Sequence, residues 1–369
     1  MRFTIKREEL LKGLNVANRA ISSKIAMPVL ENLKFELTDR GLFITGSNLD
    51  ISIKTQVPFK LGEEEIIRNY KEGVALIKAK IISDVVRKQD ADEITIDVVD
   101  STVATVNAKG YEVQLTCMRP DEYPDLDLDA SGTKLSLSSN DFVTMVNQTA
   151  FAASTREQYP ILTALNLEAR DGILTATATD SARLAKKTIN IPLGVEFLAN
   201  VPAKMIVEVS HLLEGKDSID IAFSDKKALF TIGTTVIATR LIADNYPNTK
   251  NIVPKNTSSS LEVNANDLMK AIERATIFSP ERVNLSMSED SFVISAKAQA
   301  DSTAEKIELF KYVGPELKIA LNSSFVIAAV KALGCADVTF AFVVEKKPFI
   351  IENASDDSIV QIVTPMRTF

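Results

Sequence analysis

The sequence has little of the chemistry on which most hydrolases and metal proteins depend. Its 369 residues include one histidine, His211, two cysteines, Cys117 and Cys335, and no tryptophan. A Ser-His-Asp triad and a series of zinc sites are therefore not expected, because both draw on histidine or on closely spaced cysteines. Chemistry that needs carboxylates alone stays open.

Long apolar runs are also missing. No stretch approaches the ~18 uninterrupted apolar residues that a transmembrane helix needs. The first residues, MRFTIKREELL, place charges where a signal peptide has its apolar segment. The two cysteines lie far apart and predict reduced thiols. We therefore expect a cytoplasmic protein without membrane segment, metal or cofactor.

The net charge of −7 argues against non-specific coating of nucleic acid. Lysine and arginine nevertheless recur on or beside the predicted helices, and acidic clusters at residues 63–65 and 125–129 fall in predicted loops. Two interpretations remain open at this point: scattered solvated charge, or one locally basic surface on an acidic protein.

One pattern occurs three times along the chain. Residues 3–14, 135–146 and 261–272 each combine alternating strand residues, a polar cap with acidic residues and the start of a helix, and their starts are 132 and 126 residues apart. That period matches a whole domain and is too long for a solenoid repeat. The sequence therefore predicts three similar domains, at residues 1–128, 129–254 and 255–369.

Each copy holds two helical patterns and many strands with a period of two. In the first copy the apolar positions of the second helix are Ile81, Ile82, Val85 and Val86. Connectors beginning at Tyr123-Pro124 and Tyr246-Pro247 separate the copies, 123 residues apart. Antiparallel sheets with one apolar face, covered by two helices, predict the α+β class.

Several short segments, in this order and at this spacing, resemble a known family. They are Met1-Arg2-Phe3-Thr4, Met27-Pro28-Val29-Leu30-Glu31-Asn32-Leu33, Thr45-Gly46-Ser47-Asn48-Leu49, the two Tyr-Pro connectors, Ala178-Thr179-Asp180-Ser181-Ala182-Arg183-Leu184, and Val363-Thr364-Pro365-Met366-Arg367. The chain resembles the bacterial sliding clamp, the β subunit of DNA polymerase III holoenzyme, over all 369 residues.

This resemblance implies a fold and a function. The implied fold has three DNA-clamp domains per chain, with helices on an inner face, antiparallel sheets outside, and two chains joined head to tail into a ring. The implied function is a non-enzymatic processivity factor that encircles duplex DNA without sequence specificity. Its implied partners are itself, the replicative polymerase, the clamp loader and other replication or repair proteins that carry a short clamp-binding peptide.

The resemblance also implies three sets of site residues. The DNA-contacting residues carried over are Lys24, Lys80, Arg87, Arg156 and Lys204. The partner-peptide cleft between the second and third domains carries over to Leu162, Thr179, Ser181, Ala182, Arg183, Leu184, Pro247, Asn251, Ile252, Pro348, Val363, Thr364, Pro365, Met366 and Arg367. The dimer interface carries over to Val113 and Leu115 on an edge strand and to Ile277 and Phe278 opposite.

Two cleft positions depart from the family pattern: Ala182 stands where relatives usually have His, and Asn251 often replaces Arg. Peptide preference is therefore expected to differ from that of other clamps. Two further functions remain as alternatives, a carboxylate-dependent hydrolase built on Asp180 and a triplicated scaffold that binds partners but not DNA. The hydrolase would need a constellation of reactive residues that the other copies lack, and Asp180-Ser181 beside Arg183 is the only local candidate. Asp180 fits a turn better than an active site.

Overall fold

A computed structural model describes residues 1–21, 27–249, 252–254, 256–299, 301–343 and 347–366. The chain forms two compact units. Unit 1 consists of Met1–Ser139 with Glu208–Leu241, and unit 2 of Asn140–Val207 with Ile242–Phe369. The middle copy of the repeat is therefore divided: its first part, Asn140–Val207, belongs to unit 2, and its second part, Glu208–Leu241, belongs to unit 1.

Six α-helices lie in the described part of the chain, two from each copy. They are α1 Arg7–Asn18, α2 Ala79–Arg87, α3 Ser139–Thr149, α4 Ala203–His211, α5 Ala265–Thr276 and α6 Ser323–Leu333. Four 3-10 helices accompany them: η1 Pro28–Glu31, η2 Pro120–Glu122, η3 Ala150–Ala152 and η4 Pro160–Thr163. The predicted N-cap of α5 is confirmed, because the Asn264 side chain accepts hydrogen bonds from the N–H groups of Asn266 and Asp267.

Strands make up most of the remainder. They are β1 Arg2–Lys6, β2 Asn32–Thr38, β3 Gly41–Ser47, β4 Ile51–Val57, β5 Lys60–Leu61, β6 Glu64–Glu65, β7 Ile67–Lys71, β8 Gly73–Lys78, β9 Glu93–Val99, β10 Val103–Ala108, β11 Tyr111–Met118, β12 Thr133–Ser138, β13 Ala164–Arg170, β14 Ile173–Thr179, β15 Arg183–Asn190, β16 Phe197–Pro202, β17 Ser218–Phe223, β18 Lys227–Ile232, β19 Thr235–Arg240, β20 Ser259–Asn264, β21 Arg282–Ser288, β22 Ser291–Lys297, β23 Ser302–Ile307, β24 Phe310–Val313, β25 Leu317–Asn322, β26 Asp337–Phe342, β27 Phe349–Asn353 and β28 Asp356–Val363.

All described strand pairs are antiparallel, as predicted. Unit 1 holds a thirteen-stranded sheet in the order β12-β17-β18-β19-β4-β3-β2-β8-β11-β10-β9-β1-β7. Unit 2 holds a nine-stranded sheet, β16-β13-β14-β15-β28-β27-β26-β20-β24, and a four-stranded sheet, β23-β22-β21-β25. Strands of neighbouring copies join edge to edge, β19 to β4 in unit 1 and β15 to β28 in unit 2.

The same hairpin recurs in each copy with the same register. Leu37 pairs with Leu42, Ala169 with Leu174, and Met287 with Phe292, each pair next to a two-residue turn. The period of two buries one face of each strand, and the helices cover that face. The prediction of three hairpins at these positions is confirmed.

One apolar position of the second helix in the first copy lies outside the core. Ile81 of α2 is 44% exposed, whereas Ile82 and Val86 are fully buried. Residues 79, 82, 83 and 86 form the buried stripe of this helix, and Ile81 lies ~100° round the helix from Ile82. Ile81 therefore faces away from the core, next to the exposed Lys80.

Candidate functional site

A tight turn at residues 179–183 joins β14 to β15 in unit 2. The Asp180 carboxylate accepts hydrogen bonds from the N–H groups of Ala182 and Arg183, both at 3.0 Å, and from Arg183 Nε at 3.0 Å. Ser181 has a φ of 77° and is exposed at the tip. Because Asp180 is occupied in holding this turn, the geometry does not support the alternative in which it is a catalytic group.

The end of the chain docks on this turn. Arg183 pairs with Val363 and Leu184 with Ile362, where β15 meets β28. The Thr364 N–H then donates to the Ala182 carbonyl at 2.8 Å. Two residues later the Met366 N–H donates to the carbonyl of Ala320 at 2.8 Å. The residues after β28 are therefore fixed on one side by the turn and on the other by β25.

The Arg183 side chain connects three elements of unit 2. Its guanidinium carbon lies 4.4 Å from the ring centre of Phe325 on α6 and 5.5 Å from that of Phe151 in η3. Both distances are within cation–π range. The Arg183–Asp180 ion pair is largely shielded, with both side chains 17% exposed. Arg183 is thus held between Asp180 and two aromatic rings, and those rings, Phe151 and Phe325, were not predicted as part of the site.

The structure brings many of the predicted cleft residues together at this place. Pro348 precedes Phe349, which pairs with Val363. Leu162 lies in η4, which packs on β13 and β14, and its carbonyl accepts from the Ser154 N–H at 2.8 Å. Those brought to the turn and its neighbouring strands are Leu162, Thr179, Ser181, Ala182, Arg183, Leu184, Pro348, Val363, Thr364, Pro365 and Met366.

Not every predicted cleft residue offers a surface. Leu184 and Val363 are only 3% and 1% exposed, so they belong to the packed interior and offer almost no surface to a peptide. Apolar side chains of a bound peptide would instead contact partly exposed neighbours such as Leu162 and Met366. Pro247 and Ile252 lie on the connector after β19, where Ile252 is 39% exposed. Asn251 and Arg367 lie outside the described residues.

The predicted DNA-contacting residues are exposed wherever they are described. Lys80 and Lys204 each occupy the second position of a helix, α2 and α4, and are therefore equivalent in successive copies. Arg87 ends α2 and pairs with Asp84 at 3.3 Å. Arg156 lies in the loop after η3, with its N–H bonded to Ser154. Lys24 lies outside the described residues.

Two further basic residues share this pattern: Lys331, one of the cations that recur beside the predicted helices, and His211, which the sequence did not assign to that set. His211 and Lys331 occupy the ninth position of α4 and of α6, equivalent to Arg87 in α2. A cation or imidazole in the last turn is also favoured by the helix dipole. Aligning the second helices of the three copies would have identified His211 as the equivalent residue in the second copy.

The predicted interface residues lie at a strand edge in unit 1, where Val113 and Leu115 are partly buried against the core, and at the end of α5 in unit 2. Strand β11 pairs with β8 only at Cys117 and Met118, so its residues 111–116 bond to β10 on one side alone. In unit 2, β23 is the outer strand of the four-stranded sheet. Ile277 is 77% exposed at the end of α5, whereas Phe278 is partly buried against the core of its own unit.

Reactive groups are few in the described residues. They contain no set of three His, Cys, Asp or Glu side chains that could hold a metal ion. Burial raises the pKa of Cys117 to about 11, so this thiol is protonated near neutral pH. None of the described helices is long and apolar enough to cross a membrane.

Comparison with known proteins decides the family. The N-terminal domain of the DNA polymerase III beta subunit matches residues 1–127, the central domain residues 136–248 and the C-terminal domain residues 250–367. The chain belongs to the DNA polymerase III beta subunit family. The predicted fold of three clamp domains is thereby confirmed.

Individual relatives of this family member match along its whole length. The beta sliding clamps of Halalkalibacterium halodurans and Bacillus subtilis are 32% and 29% identical to it, with 100% of both chains covered in each case. The crystal structure of the DNA polymerase sliding clamp from Bacillus subtilis superposes with a TM-score of 0.96 at 28% identity, again with 100% of both chains covered. The predicted function, that of a DNA polymerase III processivity factor, is the one this family supports.

Proposed function

We propose that this chain is a non-catalytic processivity factor, a closed ring of two copies that slides on duplex DNA and tethers a replicative polymerase. The observation that carries the proposal is the succession of three DNA polymerase III beta domains along the full chain. A tether of this kind acts through shape and connection, and needs no reactive group.

Ring closure is assigned to the free strand edges of the two units. Within the described part of the chain, residues 111–116 of β11 and the outer side of β23 pair with no further strand, and such open edges favour the addition of another strand. Pairing β11 of one copy with β23 of the other makes a heterologous contact, and two such contacts close a dimer. Val113, Leu115, Ile277 and Phe278 are the residues proposed at this interface.

DNA contact is assigned to the exposed cations on and beside the helices. Lys80 and Lys204 form no ion pair among the described residues, so their ammonium groups are available to phosphates. Several weak contacts to phosphate oxygens hold the duplex in any register, because they carry no sequence information. An otherwise acidic protein then repels DNA elsewhere on its surface.

Partner binding is assigned to the turn and chain end in unit 2. Leu162, Pro365 and Met366 offer partly exposed apolar area, and Met adapts to anchors of different shape. The docked segment from Thr364 to Met366 supplies backbone groups beside them. A short peptide needs only modest affinity at this site, because a ring on DNA keeps its partner at a high effective concentration.

Primer extension on a long circular single-stranded template tests this function. A bacterial DNA polymerase III with its clamp loader and ATP is expected to make much longer products per binding event when the chain is added. A chain that carries a substitution at Arg183 is expected to lose this effect while remaining folded. Product length that is the same with and without the wild-type chain would contradict the proposal.

A further inference from the structure

One turn is present in both units. Residues 47–51 of unit 1 and 179–183 of unit 2 each have a side-chain oxygen in second position, from Asn48 or Asp180. It accepts hydrogen bonds from the N–H groups two and three residues later, at 2.9–3.0 Å. The third residue of each turn has a φ of 75° or 77°. The two turns are therefore the same structure in successive copies of the repeat.

The neighbourhood of the turn is repeated as well. In unit 1, Leu30 in η1 donates its N–H to the carbonyl three residues earlier, and in unit 2 Leu162 in η4 does the same, both at 3.0 Å. Each copy continues into a Tyr-Pro connector, beginning at Tyr123 or at Tyr246. Unit 2 is proposed to bind partners beside its turn and the neighbouring 3-10 helix, and we call this place the socket. Unit 1 thus contains a counterpart of the socket.

The two sockets differ in exposure. In unit 1, Val29, Leu30 and Tyr123 are 5%, 1% and 9% exposed and form one apolar cluster with Leu76. Their counterparts in unit 2, Ile161, Leu162 and Tyr246, are all partly exposed. Equivalent side chains in an equivalent fold are therefore buried in the first copy and only partly buried in the second.

The covering side chains come from the protein itself. Leu126, three residues after Tyr123, packs against the cluster, and so does Leu49 at the tip of the turn. The equivalent residues in unit 2 are Thr249, three residues after Tyr246, and Ser181. Two leucines that fill the first socket are thus replaced by two small polar residues in the second.

The covering segment, residues 124–128, is also fastened at its far end. The Lys227 ammonium, on a side chain only 15% exposed, pairs with the Asp127 carboxylate and donates to the Asp127 carbonyl at 3.2 Å. This bond lowers the pKa of Asp127 below its ordinary value. Leu128 packs against Ala222, Leu229 and Ala238 of the sheet. We call this segment the strap.

The strap lies at the edge of an open cleft. A cavity of about 500 Å³ borders Leu126 and Asp127, and the side chains of Lys226 and Arg240 line it without an ion pair among the described residues. The socket beneath Leu126 would therefore be reachable from solvent if this side chain were absent.

We propose that the strap is an internal ligand that closes the first copy of the partner socket, so that each chain presents one open socket and not two. This inference rests on the proposed peptide site in unit 2 and explains its selectivity within the chain. Two positions distinguish the sockets: leucines at residues 49 and 126 fill the first, and Ser181 and Thr249 stand at the equivalent positions of the second. Of the two leucines, Leu126 is the one that the strap supplies.

Whether side chains of the protein itself fill each socket can be measured without any peptide. We would record methyl NMR signals of Leu30 and Leu162 in the presence of a soluble nitroxide, which broadens solvent-exposed methyls. In the wild type, Leu162 is expected to broaden and Leu30 to stay sharp. Leu126→Thr is expected to expose Leu30, and Thr249→Leu to protect Leu162. A Leu30 signal that stays equally sharp in Leu126→Thr would overturn the proposal.

A binding measurement completes the test with a fluorescein-labelled peptide that contains Gln and a Leu-Phe pair. Thr249→Leu is expected to weaken its binding at least ~10-fold, whereas the control Asn245→Leu, which adds leucine at an exposed neighbouring position, leaves binding unchanged. Undiminished binding to Thr249→Leu would overturn the internal-ligand account while leaving the proposed function intact. A wild type that binds no peptide would instead contradict the proposed function, and the methyl signals would still decide whether the strap closes the first socket.

Discussion

The buried ammonium of Lys187 on β15 is paired with the Asp356 carboxylate at the start of β28, with 3.1 Å between Nζ and Oδ2. The same ammonium donates to the Ser358 hydroxyl at 2.6 Å. These two bonds lie at the seam where a strand of the second copy meets the last strand of the third. The seam carries the turn and the chain end on which the proposed partner site depends.

Removal of the carboxylate is expected to loosen this seam. Asp356→Ala leaves the Lys187 ammonium buried with only Ser358 as a described partner, which is unfavourable because a buried charge loses its counterion. Because Asp356 is itself partly exposed, we expect a loss of about 10-fold in hydrogen-exchange protection in β15 and β28, or ~1.4 kcal/mol. The control Lys187→Met removes the ion altogether and should cost less. Equal protection in Asp356→Ala and wild type would contradict the role of this pair.

The same pair predicts a pH dependence. The Ser358 hydroxyl and then the Lys187 ammonium lower the pKa of Asp356. A carboxyl whose pKa is lower in the folded state stabilises the fold above its unfolded-state pKa, and that stabilisation is lost as the pH falls through the folded-state pKa. Protection of β15 and β28 should therefore decline below about pH 4, the ordinary range of an aspartate. In Asp356→Asn, the decline in protection that is due to protonation of Asp356 should be absent.

The proposed dimer interface predicts the effect of one exposed charge. Ile277→Arg is expected to convert a species near twice 40.4 kDa into a monomer at micromolar concentration, because an unpaired charge would be buried at the interface. Ile277 is a cleaner site than Phe278, which also packs against its own core. Sedimentation velocity measures the change. The control Leu198→Arg places the same charge on another exposed strand, β16, and should leave the dimer intact.

The helix cations predict weak DNA binding that depends on salt. Lys80→Glu combined with Lys204→Glu should lower the affinity for duplex DNA on any sequence. The slope of log K against log salt should fall by about one for each phosphate that the protein no longer neutralises. Fluorescence anisotropy over a salt series measures both quantities. The control Lys134→Glu, on the exposed face of β12, should change neither. A strong preference for one DNA sequence would argue against this interpretation.

The end of the chain is predicted to serve partners and not the ring. Deletion of residues 365–369 removes the Met366–Ala320 bond but none of the strand pairs of β28. Dimerisation is therefore expected to persist, while binding of the Gln and Leu-Phe peptide falls at least ~10-fold, or about 1.4 kcal/mol. Peptide anisotropy, with sedimentation as the folding control, checks this. Unchanged peptide affinity would contradict the assignment of residues 365–369 to the partner site.

Local pattern was enough to predict the elements of each copy. The period of two located the hairpins at residues 32–47, 164–179 and 282–297, and the apolar stripe of α5 identified Leu268 and Ile272 as core. The resemblance supplied the site in unit 2, since residues 179–184 and 363–366 are far apart in sequence and their meeting depends on the β15–β28 pairing.

Other features depend on tertiary packing that no local pattern encodes. The placement of Arg183 between Phe151 and Phe325 requires three distant segments to meet. The filling of the first socket by Leu126 required a comparison of side-chain exposure between copies. The exposure of Ile81 is set by how α2 lies on its sheet, which its apolar side chain alone does not reveal.

Retention on DNA of different topology tests the central claim most directly. The chain would be loaded onto a nicked circular plasmid by a clamp loader with ATP, separated from free protein at a salt concentration that abolishes ionic binding, and then treated with a restriction enzyme that cuts once. The account predicts that the protein stays with the circle and is released when the circle becomes linear, because a ring slides off a free end. Equal retention on circular and linear DNA, or no retention on the circle, would contradict it.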